Sequence, residues 1–370
     1  MDASTVRPNV ANMGMGPHGR GVHATTVIDA PILTVGQAAS SSDNICSDAS
    51  ASRGRHVQVP SSQTIRIATR ASHLALWQAH HIADLIRQAA PSVTVELVHV
   101  STTGDRDQTE RLRDLGSLGV FTREVQNAVL DGRADIAVHS LKDLPTESVP
   151  GLVLAATPTR GATADALVLP LGTAGPASIQ SLPVGARVGT GSPRRQAQLR
   201  YLRSDLVLSE VRGNVETRVR KLDEGDYDAL VLATAGLTRL GLAARISCEL
   251  APPEMFPAVS QGAVGVECRA DDESVRQLLA NITDQATLAA ATAERSLLST
   301  LRAGCHAPLG VSTTMQGDDL QLEAVILPHD GSHRWMACAC APVADAVALG
   351  QQVAQLLLAQ GVDRVLRGTV

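Results

Sequence analysis

The chain alternates short apolar runs with helical patterns from Ile65 onward, and this rhythm restricts the fold more than any single motif. Apolar runs at 65–68, 187–189, 206–211 and 230–233 are each followed by residues that can start a helix. Strands that alternate with helices in this way are typical of parallel sheets covered on both faces. We therefore predict an α/β fold with two doubly wound βαβ lobes.

The last part of the chain has a different pattern. A helical pattern at 286–301 is followed by strand patterns at 309–314, 320–327 and 334–341 and by a second helical pattern at 344–359. Consecutive strands closed by a helix predict a small antiparallel sheet with a covering helix. We expect a third, α+β domain at the C-terminal end.

Residues 1–62 are rich in Ser, Ala and Gly without a sustained apolar period, so we expect them to be disordered. They contain no apolar segment of secretory length, and nothing downstream has the length of a membrane span. These features predict a soluble, cytoplasmic protein without membrane contact. A Ser-rich tail is also typical of an organelle transit peptide, although its four aspartates argue against one, and an organelle stroma is the alternative location.

Seven arginines between positions 189 and 220 form a basic segment in a chain whose formal net charge is -5. Two helix starts are predicted within it, at Ser192 and Asn214. Exposed helix-start N–H groups and guanidiniums both bind carboxylate or phosphate, so we predict an anion site, with a solvated basic face as the alternative. Because cations are unfavourable at the positive end of a helix, replacing Arg194 or Arg195 is expected to leave the fold unharmed or slightly more stable.

Polar and mostly basic residues come directly after five predicted strands. In open α/β sheets, ligands bind in the crevice outside the carboxyl ends of the strands. We therefore expect these residues to meet in one cleft or in two facing clefts. They are Arg70, the turn at 102–105, Lys142 with Asp143, Ser192 to Arg195, and Arg212 to Asn214.

Six cysteines in 370 residues without a secretion signal do not predict a disulfide framework. A zinc site built from Cys305, His306, Cys338 and Cys340 is the alternative, but there is neither a CxxC pair nor an HExxH motif, so we expect no metal. Aromatic residues make up 2% of the chain, and single-stranded nucleic-acid binding depends on stacking rings. We therefore expect no nucleic-acid partner.

Seven segments between Ile65 and about Gly310 form a set more specific than any one of them. They are RIATRASHLALWQA, STTGD, FTREVQNAVLDGRADIAVHSLKDLPT, GTGSPRRQAQL, VRGNVETRVRKLDEGDYDALVLATAGLTRLGL, PAVSQGAVGVECR and AERSLLSTLRAGCHAPLG. In content, order and spacing this set resembles the porphobilinogen deaminase family.

The resemblance implies a transferase that joins four porphobilinogens into hydroxymethylbilane with release of ammonia, in tetrapyrrole and haem biosynthesis. It also implies one covalent dipyrromethane cofactor per chain, held by a thioether to Cys305, and we expect a monomer with porphobilinogen as its partner. Each pyrrole carries an acetate and a propionate, so an arginine-lined cleft suits the growing polyanion. A carboxylate beside the pyrrole N–H groups would stabilise the methylene-pyrrole cation that remains after loss of ammonia.

The resemblance also implies roles for individual residues, with Asp143 as the catalytic carboxylate. Gln261 falls where the family's chain returns to the first domain, so a hinge is expected there. The residues expected at the cofactor are Cys305, Lys142, Ser192, Arg194, Arg195 and Arg218. Those expected at the substrate are Arg70, Ser72, Phe121, Thr190, Arg212 and Arg239. The implied domains are 63–160 with 261–282, then 161–260, and then 283–370, which carries the cofactor cysteine.

Four residues depart from the family's pattern. Leu118 stands where a lysine is common, which puts one substrate contact in question. His73 stands where proline is frequent, and Pro193 stands where an aliphatic residue is usual. Glu216 adds a negative charge to the anion-binding helix start, where it either weakens a carboxylate contact or orients Arg218.

A two-lobed anion-binding protein without catalysis is the alternative from another class. Similar βαβ lobes with a central cleft serve solute-binding proteins, and fold alone does not decide function. The lack of a secretion signal and the presence of Cys305, which binding alone does not require, argue against this alternative.

Overall fold

A computed structural model describes residues 64–101, 122–173, 178–304 and 307–366. The predicted disorder of residues 1–62 therefore concerns a segment outside the described residues. The strands of the described part are β1 (Thr64–Thr69), β2 (Thr94–His99), β3 (Ile136–Ser140), β4 (Leu152–Ala156), β5 (Asp165–Val168), β6 (Arg187–Gly189), β7 (Val207–Ser209), β8 (Ala229–Ala233), β9 (Cys248–Leu250), β10 (Val264–Arg269), β11 (Leu309–Gln316), β12 (Asp319–Ile326) and β13 (Trp335–Pro342). The helices are α1 (His73–Ala89), α2 (Arg123–Leu130), α3 (Pro193–Leu202), α4 (Val215–Asp223), α5 (Thr234–Arg239), α6 (Glu273–Ala280), α7 (Gln285–Thr300), α8 (Ala346–Leu358) and α9 (Asp363–Leu366).

The strands form two α/β sheets and one small antiparallel sheet, as predicted. Lobe 1 contains the sheet β2-β1-β3-β10-β4 with helices α1, α2 and α6, and lobe 2 contains the sheet β7-β6-β8-β5-β9 with helices α3, α4 and α5. The C-terminal sheet has the order β11-β12-β13 and packs against α7 and α8. None of the helices in the described ranges is long and apolar enough to cross a membrane.

Both lobe sheets are mixed rather than wholly parallel, a feature that the strand–helix rhythm does not reveal. In lobe 1 strand β10 runs antiparallel to β3 and β4, and in lobe 2 strand β5 runs antiparallel to β8 and β9. The physical reason lies in the two crossovers between the lobes, 157–164 and 251–263. Val264 pairs with Ser140, the last residue of β3, and Asp165 pairs with Ala233, the last residue of β8. Each crossover thus enters its sheet at the carboxyl edge, and the strand that follows must run backwards.

Both faces of each lobe sheet are covered by apolar side chains, as the alternating pattern predicted. In lobe 1 one face packs against α1 and α6 and the other against α2. In lobe 2 one face packs around Leu199 of α3 and the other around Leu222 of α4, and both side chains are fully buried. With their faces closed, the sheets leave the carboxyl edges of the strands open to carry polar residues.

The two crossovers lie in direct contact at Gln261 and Gly262. Gly161 donates its N–H to the Gly262 carbonyl at 3.1 Å. Gly262 has a φ of +86°, and a Cβ built there would stand 2.6 Å from the carbonyl oxygens of Gly161 and Ala162. Only glycine fits this contact without a shift of the backbone. The expected hinge at Gln261 stays a prediction, but the residue does lie where the chain returns to lobe 1.

Candidate functional site

Two cavities open near the carboxyl edges of the sheets, and Asp143 lines both. The first cavity contains about 680 Å³ of empty space, part of it open to solvent, and involves both lobes and the C-terminal domain. The second contains about 480 Å³ and belongs to lobe 1. The first is lined by Lys142, Asp143, Ser192, Arg194, Arg295 and Gly304, among others. The second is lined by Arg70, Ser72, Gln78, His139, Ser140 and Asp143, among others.

Most of the strand ends chosen from the sequence meet at these two cavities. Arg70 follows β1, Lys142 and Asp143 follow β3, and Ser192 with Arg194 follows β6. Arg212 follows β7 but is not among the lining residues of either cavity. The turn at 102–105 and Leu118 lie outside the described residues.

Lys142 and Asp143 belong to a 3₁₀ turn, Leu141–Asp143, that follows β3 directly. Buried Leu141 anchors the turn, and the Leu144 N–H donates to the Leu141 carbonyl at 3.2 Å. Asp143 remains exposed. A rigid strand therefore supports a carboxylate that reaches both cavities.

Lys142 points toward the crossover rather than into bulk solvent. Its Nζ donates to Gln261 Oε1 at 3.4 Å, and Gln261 Nε2 in turn donates to Asp165 Oδ1 at 2.8 Å. Burial lowers the pKa of Lys142 to about 8, although the negative charge of Asp143 opposes that shift. The ammonium is therefore close to losing its proton just above neutral pH.

Arg194 and Arg195 form a buried double ion pair with Asp165. Arg194 Nη1 lies 2.7 Å from Asp165 Oδ2, and Arg195 Nη2 lies 2.7 Å from Asp165 Oδ1. The exposed fractions of the three residues are 4%, 6% and 0%, respectively. Burial alone would raise the pKa of Asp165, but the two guanidiniums outweigh it and hold that pKa below its usual range.

This geometry corrects the expected effect of replacing either arginine. The expectation treated the side chains as exposed cations at a positive helix end. In the structure Arg195 also donates from Nη1 to the Val231 carbonyl at 3.0 Å, and Arg194 donates to the Phe256 carbonyl at 2.5 Å. Removing either one would leave a buried carboxylate short of a partner, which is strongly destabilising.

Arg194 still has an unused donor. Its Nε is buried and has no hydrogen-bond partner, and the residue lines the first cavity. Unsatisfied buried donors are rare in folded proteins. The first cavity therefore offers a cationic donor to an anionic ligand, whereas Arg195 has its donors engaged with Asp165 and Val231.

The remaining arginines occupy different surroundings. Arg218 donates from Nε to the Gly213 carbonyl at 2.8 Å, and burial lowers its pKa while the charge of Asp143 raises it. The charges of Arg218 in lobe 2 and Asp143 in lobe 1 are therefore close enough to interact. Arg239 contacts the crossover instead, donating from Nη2 to the Gly262 carbonyl at 2.6 Å.

The three candidate hydroxyl residues are placed at strand and helix ends. Ser72 caps α1, accepts the Ala75 N–H at 3.4 Å and lines the second cavity. Ser192 occupies the cap position of α3 without a side-chain cap bond and lines the first cavity. Thr190 is fully buried, and its carbonyl accepts from Gln196 Nε2 at 2.9 Å.

Cys305 and Phe121 lie outside the described residues, so no contact is assigned to either. The neighbours of Cys305 are described, and Ala303, Gly304 and Ala307 all line the first cavity. The described residues on either side of the candidate cofactor cysteine therefore border the same space as Lys142 and Arg194.

Arg295 on α7 is a site residue that sequence reasoning missed. It lines the first cavity and donates from Nη1 to the Leu144 carbonyl at 2.9 Å and from Nη2 to the Pro145 carbonyl at 2.6 Å. These carbonyls directly follow Lys142 and Asp143, so Arg295 holds the turn that carries both residues from the C-terminal domain. A lone arginine in the alanine-rich 285–295 segment was the signal that could have identified it.

No group of three or more His, Cys, Asp or Glu side chains within the described ranges could hold a metal ion. Cys338 and Cys340 are both exposed on β13. The other two members of the alternative zinc set, Cys305 and His306, lie outside those ranges.

The chain is similar to known proteins over most of its length. Residues 65–277 match the family model "Porphobilinogen deaminase, dipyromethane cofactor binding domain", and residues 288–359 match "Porphobilinogen deaminase, C-terminal domain". A porphobilinogen deaminase of Stenotrophomonas maltophilia is 49% identical over 304 residues, which cover 82% of this chain and 99% of that protein. One of a Roseiflexus species is 47% identical over 307 residues, covering 83% and 99%. Among solved structures, the methionine-binding protein MetQ aligns with a TM-score of 0.38 at 14% identity, covering 62% of this chain and 94% of that chain.

Proposed function

Because this chain belongs to the porphobilinogen deaminase family, we propose that it is a transferase that joins four porphobilinogens into hydroxymethylbilane on a covalently attached dipyrromethane. The family matches span both lobes and the C-terminal domain. The observation that carries the proposal is the position of Asp143, which lines two adjoining cavities that both contain basic and hydroxyl side chains.

The first cavity fits a dipyrromethane in its chemistry. The orphaned Nε of Arg194, the ammonium of Lys142 and the hydroxyl of Ser192 are donors for acetate and propionate groups. Leu298 and Leu309 supply an apolar wall for pyrrole rings. When bound through Cys305, the dipyrromethane supplies the pyrrole end to which new units are joined.

The second cavity supports a role in holding the incoming porphobilinogen. Arg70 and the Ser72 hydroxyl line it at the start of α1, where helix-end N–H groups also favour an anion. Arg218 approaches from lobe 2 and interacts with the charge of Asp143. Carboxylates on a substrate between the lobes would thus be held by cations from both sides.

Asp143 is proposed as the catalytic residue. Its carboxylate can accept hydrogen bonds from pyrrole N–H groups in either cavity and stabilise the positive charge that develops on the substrate as ammonia leaves. Arg295 and β3 hold the turn that carries it, so the charge need not be reoriented during the reaction.

Incubation of the purified chain with porphobilinogen tests the proposal. The proposal predicts hydroxymethylbilane as product, with one ammonia released for each porphobilinogen consumed. A non-catalytic anion-binding protein would retain porphobilinogen without releasing ammonia, and that result would contradict the proposal. The domain boundaries, monomeric state and cytoplasmic location expected from the sequence belong to the same proposal, and sedimentation equilibrium tests the monomer.

A further inference from the structure

Helix α1 of lobe 1 presents a stripe of three side chains to lobe 2. His73, Trp77 and His81 are spaced four residues apart, so they lie on one face of the helix. His73 Nδ1 lies 2.5 Å from Glu216 Oε1 on α4, and the guanidinium carbon of Arg239 on α5 lies 5.1 Å from the centre of the Trp77 ring. Both partners belong to lobe 2, and Arg239 also donates to the Gly262 carbonyl, so the stripe joins the lobes beside the second crossover.

Glu216 and Arg218 share the first turns of α4 but have different partners. Glu216 contacts His73, whereas Arg218 interacts with the charges of Asp143 and Arg195. The helix begins at a cap formed by Asn214, which accepts the Thr217 N–H at 2.8 Å. These residues are held on one short helix, so the His73–Glu216 contact and Arg218 share the same support in lobe 2.

The His73–Glu216 contact also sets the net charge at the starts of α1 and α4, beside the proposed anion sites. Glu216 is a carboxylate next to a cleft that binds carboxylates, so alone it would repel them. Protonated His73 cancels that charge. The two residues that depart from the family's pattern at this rim therefore compensate each other in space.

We infer that His73 and Glu216 are a positioning pair that holds Arg218 of lobe 2 against lobe 1 and so favours porphobilinogen binding without touching the substrate. This inference rests on the proposed function. The pair acts through lobe geometry and local charge, so its effect belongs to KM rather than to kcat.

The protonation of His73 gives the pair a pH dependence. The hydrogen bond and charge of Glu216 raise the pKa of His73 above its ordinary value. A raised pKa means that the ion pair is complete below the ordinary histidine value of about 6.5 and is lost as pH rises through the shifted value. The other charged groups at the stripe are Arg239 and Asp84. Burial and the positive charge of Arg239 lower the pKa of His81, and the negative charge of Asp84 opposes that shift.

Steady-state kinetics of four chains between about pH 6 and about pH 7.5, below the pH at which Lys142 titrates, test the inference. In the wild type KM should rise with pH. In His73→Ala KM should be raised about two- to fivefold at the acid end, the range for one exposed ion pair, because the contact is lost and the Glu216 charge is left uncancelled. The histidine-dependent rise of KM should also disappear. His73→Lys keeps a cation across the range and should hold KM near the wild-type acid value. His80→Gln, which removes an exposed histidine of α1 outside the stripe, should behave as wild type.

His73→Ala with the wild-type KM and pH profile would overturn the inference, and so would His73→Lys with the KM of His73→Ala. Histidine titration by nuclear magnetic resonance provides a readout that does not need turnover. The His73 pKa should fall in Glu216→Gln, and an unchanged value would show that the contact is not made. If the wild type released no ammonia, the proposed function would fail, while this titration would still decide the contact.

Discussion

Asp143 and Lys142 are sequence neighbours whose surroundings give them different chemistry. Asp143 is exposed and lines both cavities, whereas Lys142 donates to Gln261 at the junction of the lobes. The sequence could identify both residues, because a polar pair directly after a buried strand is visible in the pattern. It could not show the lowered pKa of Lys142, which depends on burial by the distant segment around Gln261.

Replacing Asp143 by Asn should reduce turnover by about a hundredfold or more, the scale expected for the loss of one preorganised electrostatic group. Asn keeps the size and much of the hydrogen bonding but removes the charge. Asp143→Glu retains the charge one methylene further out, so it should be slow but faster than Asn. Steady-state rates, with folding checked by circular dichroism, measure both variants. Near-normal turnover by well-folded Asp143→Asn would rule out the catalytic role.

Lys142 should titrate near pH 8, because burial lowers the pKa of its ammonium. A lowered pKa means that the cation is lost as pH rises through that value, so carboxylate binding should weaken above it. The chain has only two lysines, Lys142 and Lys221, so carbon-13 methylation of the amines followed by nuclear magnetic resonance can resolve each one. Lys221→Arg assigns the signals. A Lys142 signal that titrates at the ordinary lysine value of about 10.4 would contradict the burial seen here.

At the scale of elements, the sequence predicts the start of α3 correctly but predicts the wrong surroundings for its arginines. The Ser-Pro pair predicted the helix start, and α3 does begin at Pro193. Asp165 on β5, the partner of both arginines, is 29 residues before Arg194. Local sequence carries no sign of that pairing, so the arginines were taken for exposed cations.

Arg195→Leu should lower the free energy of unfolding by about 3–5 kcal/mol, because the buried Asp165 carboxylate would keep only one of its two arginine partners. Arg276→Leu is a matched control, since the Arg276–Glu273 pair is exposed, and it should cost less than about 1 kcal/mol. Urea denaturation of the full chain measures both. If the two variants lose equal stability, the buried double ion pair is not the one described here.

At the scale of the whole molecule, the sequence predicted two α/β lobes and a small C-terminal sheet because each has its own period of apolar residues. The pattern does not show that β5 and β10 run antiparallel to their neighbours, since strand direction depends on where a crossover enters a sheet. The same crossovers explain the site. They join the lobes at the carboxyl edges, so residues from 142, 165, 194 and 261 meet there despite their separation in sequence.

Intact-mass spectrometry of the purified full chain tests the central claim most directly, that this is a deaminase primed by a dipyrromethane on Cys305. The wild type should exceed its sequence mass by two linked pyrroles, Cys305→Ala should show the sequence mass alone, and the exposed-thiol control Cys338→Ala should keep the addition. An active enzyme without added mass, or an addition that persists in Cys305→Ala, would contradict the account.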